Sequence, residues 1–398
     1  MARKHKRPEA KRKRPVVSLL GTVVVGAVAI LGGSVLQAGL SSAFPKSVVS
    51  PGVSSAVHRL AAGVSVTVTG PHLLVSEQTG TLQIAVSVPR AEIAGSRVDW
   101  QSRPAGASAW RTDQTLQVDS AGRASVKVSP WKGTEYRAVV RRSHTVSDRV
   151  STPFRVDTRP AGEAVVSPQG AAEPRFGAPA DPARRPRAVG SGAHAIVSPV
   201  PDPVWERMAG VSFGEGCPVG RENLRYVQVN YWGFDGYRYR GEIVVHASIA
   251  RQTAAVFTDL YRLKYPIRQM RLADDFGKDP LKGANDYSAM DADNTSGFNC
   301  RYVDGKEAQQ VLSPHAWGMA IDINTWENPF HARTGVFPDS SYLDRDLLHR
   351  AVLDDPESPA VHAFENRGLQ WGGRWEEKDY HHFETPPANR PEGKRTGP

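Results

Sequence analysis

At 398 residues and 40% apolar content, the chain is too long and too hydrophobic to be disordered throughout, and it has material for two ordinary domains. Thirty prolines and thirty-six glycines, unevenly spread, argue against one compact body. The formal net charge of +9 is concentrated in residues 1–15, where eight Lys or Arg face Glu9 alone. The remainder is almost neutral, so a nucleic-acid partner is not expected.

After that basic tail, residues 16–44 carry no charged side chain and are rich in Val, Leu, Ala and Gly. A hydrocarbon core of about 30 Å needs roughly 20 apolar residues, and flanking Lys/Arg would hold the N-terminal end in the cytoplasm. The expectation is a transmembrane anchor with the rest of the chain outside the cytoplasmic membrane. The competing reading is a signal peptide, with Ser41, Ser42 and Ala43 as small residues for cleavage. Either one exports the remainder of the chain.

Residues 62–157 read as short segments of period two, such as Leu82-Gln83-Ile84-Ala85-Val86 and Tyr136-Arg137-Ala138-Val139-Val140, broken by Gly, Pro and Asp turns. They predict an all-β sandwich of immunoglobulin-like or fibronectin-like architecture, with Trp100, Trp110 and Trp131 as core bulk and a sugar-stacking role as the alternative. Residues 158–203 turn to Pro, Ala, Gly and Arg and predict a linker. Within 204–385 the pattern predicts a strand from Leu224, a turn at Gly233-Phe234-Asp235-Gly236, a return strand over 241–246, a helix through Ala250, Ala254, Phe257 and Leu260, and a strand over 267–272. That mixture predicts an α+β domain. The acid-rich connection 273–293 reads as a groove wall or lid; its spacing does not fit an EF-hand. Residues 386–398 close the chain as a Pro/Lys/Arg tail expected to be disordered.

Cys217 and Cys300 are the two cysteines, and export favours a disulfide between them. A Ser-x-x-Lys pattern at Ser129–Lys132 lacks the companion elements of a serine peptidase and is read as chance.

The chemistry lies in two runs. From Ser313 the sequence is Ser-Pro-His-Ala-Trp-Gly-Met-Ala-Ile-Asp, with His315 and Asp322 as potential ligands. Asp322 shares the small-residue face of an alternating strand, where an unpaired carboxylate is costly and calls for a cation. Near the end, Asp379-Tyr380-His381-His382-Phe383-Glu384 offers a third ligand and a spare carboxylate. Two histidines and one carboxylate make a catalytic zinc set, since three protein ligands leave the fourth position to water. Asp379 is the candidate proton carrier, provided that the chain bends between it and His382.

Together S-x-H-x-x-G-x-A-x-D and D-x-x-H-F-E resemble the zinc D-alanyl-D-alanine carboxypeptidases, a family related to VanY-type enzymes and L-alanyl-D-glutamate endopeptidases. The likeness extends over about 204–385. It implies Zn²⁺ held by His315, Asp322 and His382, Asp379 as general base, and an upstream arginine on the scissile carbonyl. Arg301 fits that last place best, with Arg268 and Arg271 as competitors, and His381 competes with His382 as ligand. Ser313 would orient a ligand or the substrate carboxylate, or serve as a turn residue. The implied partners are the stem peptides of peptidoglycan, and the implied activity is a D-Ala-D-Ala carboxypeptidase. An L-alanyl-D-glutamate endopeptidase and an inactive zinc-containing wall-binding module are the alternatives; retention of Asp379 speaks against the latter.

Overall fold

The computed structural model describes residues 54–60, 64–87, 97–141, 148–165, 182, 185–345 and 350–387. Its first part comprises two packed sheets. One joins β1 (Ser54–Leu60), β2 (Val64–Gly70), β4 (Gly80–Ser87) and β7 (Arg123–Val128) in the order β1-β2-β4-β7. The other runs β3-β10-β8-β5-β6, from β3 (Leu73–Val75), β5 (Arg97–Pro104), β6 (Arg111–Gln117), β8 (Thr134–Arg141) and β10 (Phe154–Arg159), with β9 (Arg149–Val150) beside β8. Alternation sends Val66, Leu82, Ile84, Val98, Val126, Ala138 and Val156 into one shared core. Trp100 is buried there, stacked on Tyr136. The other two expected core tryptophans lie elsewhere. Trp110 is half-buried with Arg103 and Arg137 on its ring, and Trp131 packs edge-on against Tyr239 of the next sheet.

Around Trp131 the sandwich is joined to the second part of the fold. Trp131 Nε1 donates to the Arg238 carbonyl at 3.1 Å, Lys132 pairs with Asp235 at 3.1 Å, and Arg238 pairs with Glu77 at 2.7 Å. The lysine of the Ser-x-x-Lys pattern is thus a junction residue, while Ser129 bonds Thr79. Residues 185–200, within the tract read as linker, lie along the second part: Arg185 contacts Tyr239, and Asn230 ties down the Val189 and Gly192 carbonyls. Two clefts of about 1220 and 1340 Å³ flank this junction and contain no residue of the two chemical motifs.

In the second part, β11 (Ile196–Pro199), β12 (Leu224–Trp232) and β13 (Arg238–His246) form an antiparallel sheet, with α1 (Asp202–Met208) between the first two. The expected hairpin and helix are present, the latter as α2 (Ala250–Arg262), whose Val256, Phe257 and Leu260 face the core. The expected strand over 267–272 shrinks to β14 (Gln269–Met270), parallel to β15 (Asn294–Thr295). Between them the acid-rich connection holds α3 (Asp286–Asp291), and its acids pair with protein cations: Asp275 with Arg207 and Arg271, Asp293 with Arg268, Asp286 with Arg301. Farther on come β16 (Ala320–Asp322), the hairpin β17 (Phe330–Ala332) and β18 (Gly335–Phe337), α4 (Pro359–Glu365), β19 (Gln370–Trp371) and β20 (His382–Glu384). The sheet order β16-β20-β19 places the two chemical motifs side by side. Cys217 and Cys300 are disulfide-bonded, Cα atoms 5.8 Å apart.

Two expectations of fold class are corrected. The described residues are mostly β with few helices: apart from the 13-residue α2, the α-helices have six or seven residues, so the α+β reading overstates the helical share. The single-pass membrane reading is corrected to what the described residues show: among them no helix is long and apolar enough to cross a membrane. The expected transmembrane segment 16–44 lies outside the described residues.

Candidate active site

The register between β16 and β20 sets Asp322 directly opposite His382 and Ala320 opposite Glu384. Directly paired residues project to the same face of a sheet, and so do residues two apart on one strand. Asp322, His382 and Glu384 therefore share one face, while Ile321 and Phe383, also paired, are buried in the core on the other. His315 arrives from a 3-10 turn over Pro314–Trp317, capped at its start by Ser313 Oγ, which accepts from the His315 amide. Gly318 ends that turn at φ +68°, and a β-carbon there would come within 2.7 Å of the His246 amide nitrogen. Only glycine fits this close, left-handed approach.

The result is a buried cluster of His315, Asp322 and His382 whose ligand atoms all lie within 4.8 Å of one another. His315 Nε2 stands 3.1 Å from Asp322 Oδ2, His382 Nδ1 stands 2.9 Å from Asp322 Oδ1, and the two ring nitrogens are 3.3 Å apart. Each imidazole has its other nitrogen engaged outside the cluster: His315 Nδ1 at 2.6 Å from the Gly297 carbonyl, His382 Nε2 at 3.2 Å from Glu384 Oε2. A proton on each outer nitrogen leaves an inward lone pair, the arrangement that metal-ligating histidines require. His382 presents its Nδ1 to the cluster.

Electrostatics agree with a cation site. Burial by itself raises the Asp322 carboxyl, but the neighbouring imidazoles hold it well below the usual carboxylate range. Burial lowers His382, yet hydrogen bonds to Asp322 and Glu384 outweigh it and push the imidazole up to about 10. In the metal-free protein a proton on His382 supplies the positive charge that the two carboxylates demand. The donor set and its fixed tautomers fit a divalent metal ion.

Asp379 comes within reach because the chain turns there: the His382 amide donates to the Asp379 carbonyl at 3.3 Å. The turn presses on Gly372, where a β-carbon would meet the Asp379 carbonyl oxygen at 2.6 Å, which accounts for the glycine in Trp371-Gly372-Gly373. Burial raises the Asp379 carboxyl above its ordinary value. His381 is not one of the three converging donors: its Nε2 is 3.2 Å from Asp379 Oδ1 and 3.9 Å from Asp322, and its Nδ1 donates to the Asn328 carbonyl.

The three candidate arginines have different settings. Arg268 is fully buried between Asp293 and Glu327, at 2.6 and 3.1 Å. Arg271 pairs with Asp275. Arg301 pairs with Asp286 at 2.7 Å, and burial, which lowers its pKa, is outweighed by Asp286, Asp304, Asp322 and Asp379, placing it in the field of the cluster.

Residues 306–385 match the model of the D-alanyl-D-alanine carboxypeptidase family. Both chemical motifs lie inside that stretch, whereas Arg301 and Cys217 precede it. The family resemblance is thereby upheld over these residues, and the segment is that of a peptidase of this superfamily with a cluster that could hold a metal ion. No curated protein matches the chain.

Glu384 was given no role in the sequence reading, although H-F-E already contained the clue: residues two apart on a strand share a face. Its carboxylate holds the outer nitrogen of the His382 ring, with Oε2 3.2 Å from Nε2. Glu384→Gln should weaken divalent-metal affinity by about 10- to 100-fold, measured by competition with a chromophoric chelator. Unchanged affinity would show that the ring is held by other means.

Proposed function

We propose that the chain is a zinc peptidase that acts on peptidoglycan stem peptides and releases the C-terminal D-alanine. The observation that carries this reading is the convergence of His315, Asp322 and His382, with Asp379 beside them, Arg301 in their field, and a family match over 306–385 that covers all of these but Arg301. When bound there, zinc supplies a Lewis acid that lowers the pKa of water toward about 7 and polarises a carbonyl.

The protein's own groups divide the remaining work. Asp379, ionised, takes a proton from the attacking water and returns it to the leaving amine. Burial raises its pKa above the ordinary carboxylate value, so activity falls as pH drops through that raised value. The Arg301 guanidinium, fixed by Asp286, faces the charge that develops on the carbonyl oxygen. Ser313 contributes by capping the turn that delivers His315.

Mass spectrometry of products from defined stem peptides tests the proposal. Zinc-loaded protein should release a single alanine, lose this activity on chelation and recover it with zinc. Products cut between L-Ala and D-Glu would reassign it as the endopeptidase. Hydrolysis undiminished after exhaustive chelation would remove the metal from the mechanism.

A further inference from the structure

A continuous series of contacts leaves the cluster at Asp379 and returns to it at His315. Asp379 bridges to Phe330, and the His331 amide donates to the Lys378 carbonyl, so β17 is fastened to the segment bearing the base. Phe330 pairs with Phe337 across the β17–β18 hairpin. The Phe337 ring meets Tyr287 in a T-shaped contact, with centroids 5.7 Å apart. Tyr287 follows Asp286 on α3, and Asp286 grips Arg301. The Arg301 carbonyl accepts from the Ser313 amide, and Ser313 caps the His315 turn, which completes the circuit to the cluster.

All links but one in this circuit involve backbone pairing, sequence adjacency, an ion pair, the Ser313 cap or the cluster itself. The exception is the Tyr287–Phe337 pair, two side chains from elements far apart in sequence. Rings in edge-to-face contact leave no gap for a peptide backbone between them. Elsewhere around the cluster, Trp375 lies with its ring 5.4 Å from that of His382 and is 37% exposed, which marks a solvent-facing approach.

We propose that Tyr287 and Phe337 close one end of the substrate groove and so determine specificity, excluding peptides that continue beyond the scissile bond. This rests on the peptidase reading above and adds the reason for terminal cleavage. Tyr287 is 43% exposed and anchored by its hydroxyl to Asp304 at 3.2 Å, so the barrier consists of a solvent-facing side chain rather than buried core.

The test uses the full zinc-loaded chain and two peptides: a stem pentapeptide ending in D-Ala-D-Ala, and the same peptide with one added C-terminal glycine. Release of D-Ala from the first is compared with release of the dipeptide D-Ala-Gly from the second, by mass spectrometry. The wild-type protein should strongly favour the first. In Tyr287→Ala and Phe337→Ala the ratio of internal to terminal cleavage should rise by about tenfold or more. Tyr287→Phe should keep the wild-type ratio, because the ring makes the contact. Taking the ratio within one preparation cancels any loss of folded protein. Equal cleavage of both peptides by the wild type, or a ratio unmoved in both alanine variants, would overturn the proposal. Failure of the peptidase reading looks different: no zinc-loaded form would hydrolyse either peptide.

Discussion

Asp379→Ala is expected to lower kcat by about 10²- to 10⁴-fold, the range for loss of a positioned general base, while the metal content of the purified protein stays unchanged. The carboxylate is absent from the ligand cluster, so its removal leaves His315, Asp322 and His382 in place. Its contribution is proton transfer, and its environment suits that work: burial raises the pKa, and the turn to His382 holds the carboxyl beside the cluster. The acid side of the wild-type kcat/KM profile should fall above the ordinary carboxylate range, because the base must be ionised to act. Metal stoichiometry and turnover measured on the same sample check the division of labour. Full activity in Asp379→Ala would show that another group carries the proton; loss of metal along with activity would show that Asp379 helps to hold the ion.

How much of this was legible in the sequence depended on the range of the interactions involved. The β12–β13 hairpin was readable because alternation and a Gly-Phe-Asp-Gly turn are local, and α2 because its apolar residues recur at helical spacing. The site motifs were readable because β16 and β20 each carry their chemistry within a few residues. The α+β assignment failed where structure is set by non-local side-chain bonds. Asn328, for example, donates to the Asn324 and Ala351 carbonyls and accepts from the Leu353 amide, organising a stretch with little repetitive structure. Period analysis has no means of detecting such a hub. The same holds for His382: its motif identified the residue, but the choice of Nδ1 comes from Glu384 occupying the other nitrogen, a consequence of strand geometry. Sequence favoured Arg301 over Arg268 without showing their partners: Arg268 is held by Asp293 and Glu327, whereas Arg301 stands in the field of the cluster. The single-pass expectation arose from composition alone, and the helices of the described residues give it no support.

His315→Ala is expected to abolish turnover and stoichiometric zinc together, which distinguishes a ligand from a base. Three donors converge here, and removing one leaves Asp322 and His382 to hold the ion alone. The cost extends beyond one bond, because Asp322 is 4% exposed and loses one of the imidazoles that keep its carboxylate tolerable in a buried place. The loss of affinity should therefore exceed that of Glu384→Gln, which removes only the support behind a ligand. Proton competition provides an independent check on the same donor set. His382 titrates at about 10 in the metal-free protein, so at neutral pH it must shed a proton before its Nδ1 can bind metal. Zinc uptake should release that proton into a weakly buffered solution, and affinity should weaken progressively as pH falls. A His315→Ala protein that still bound one zinc tightly and turned over substrate would remove this residue from the ligand set. Metal binding independent of pH would do the same for His382.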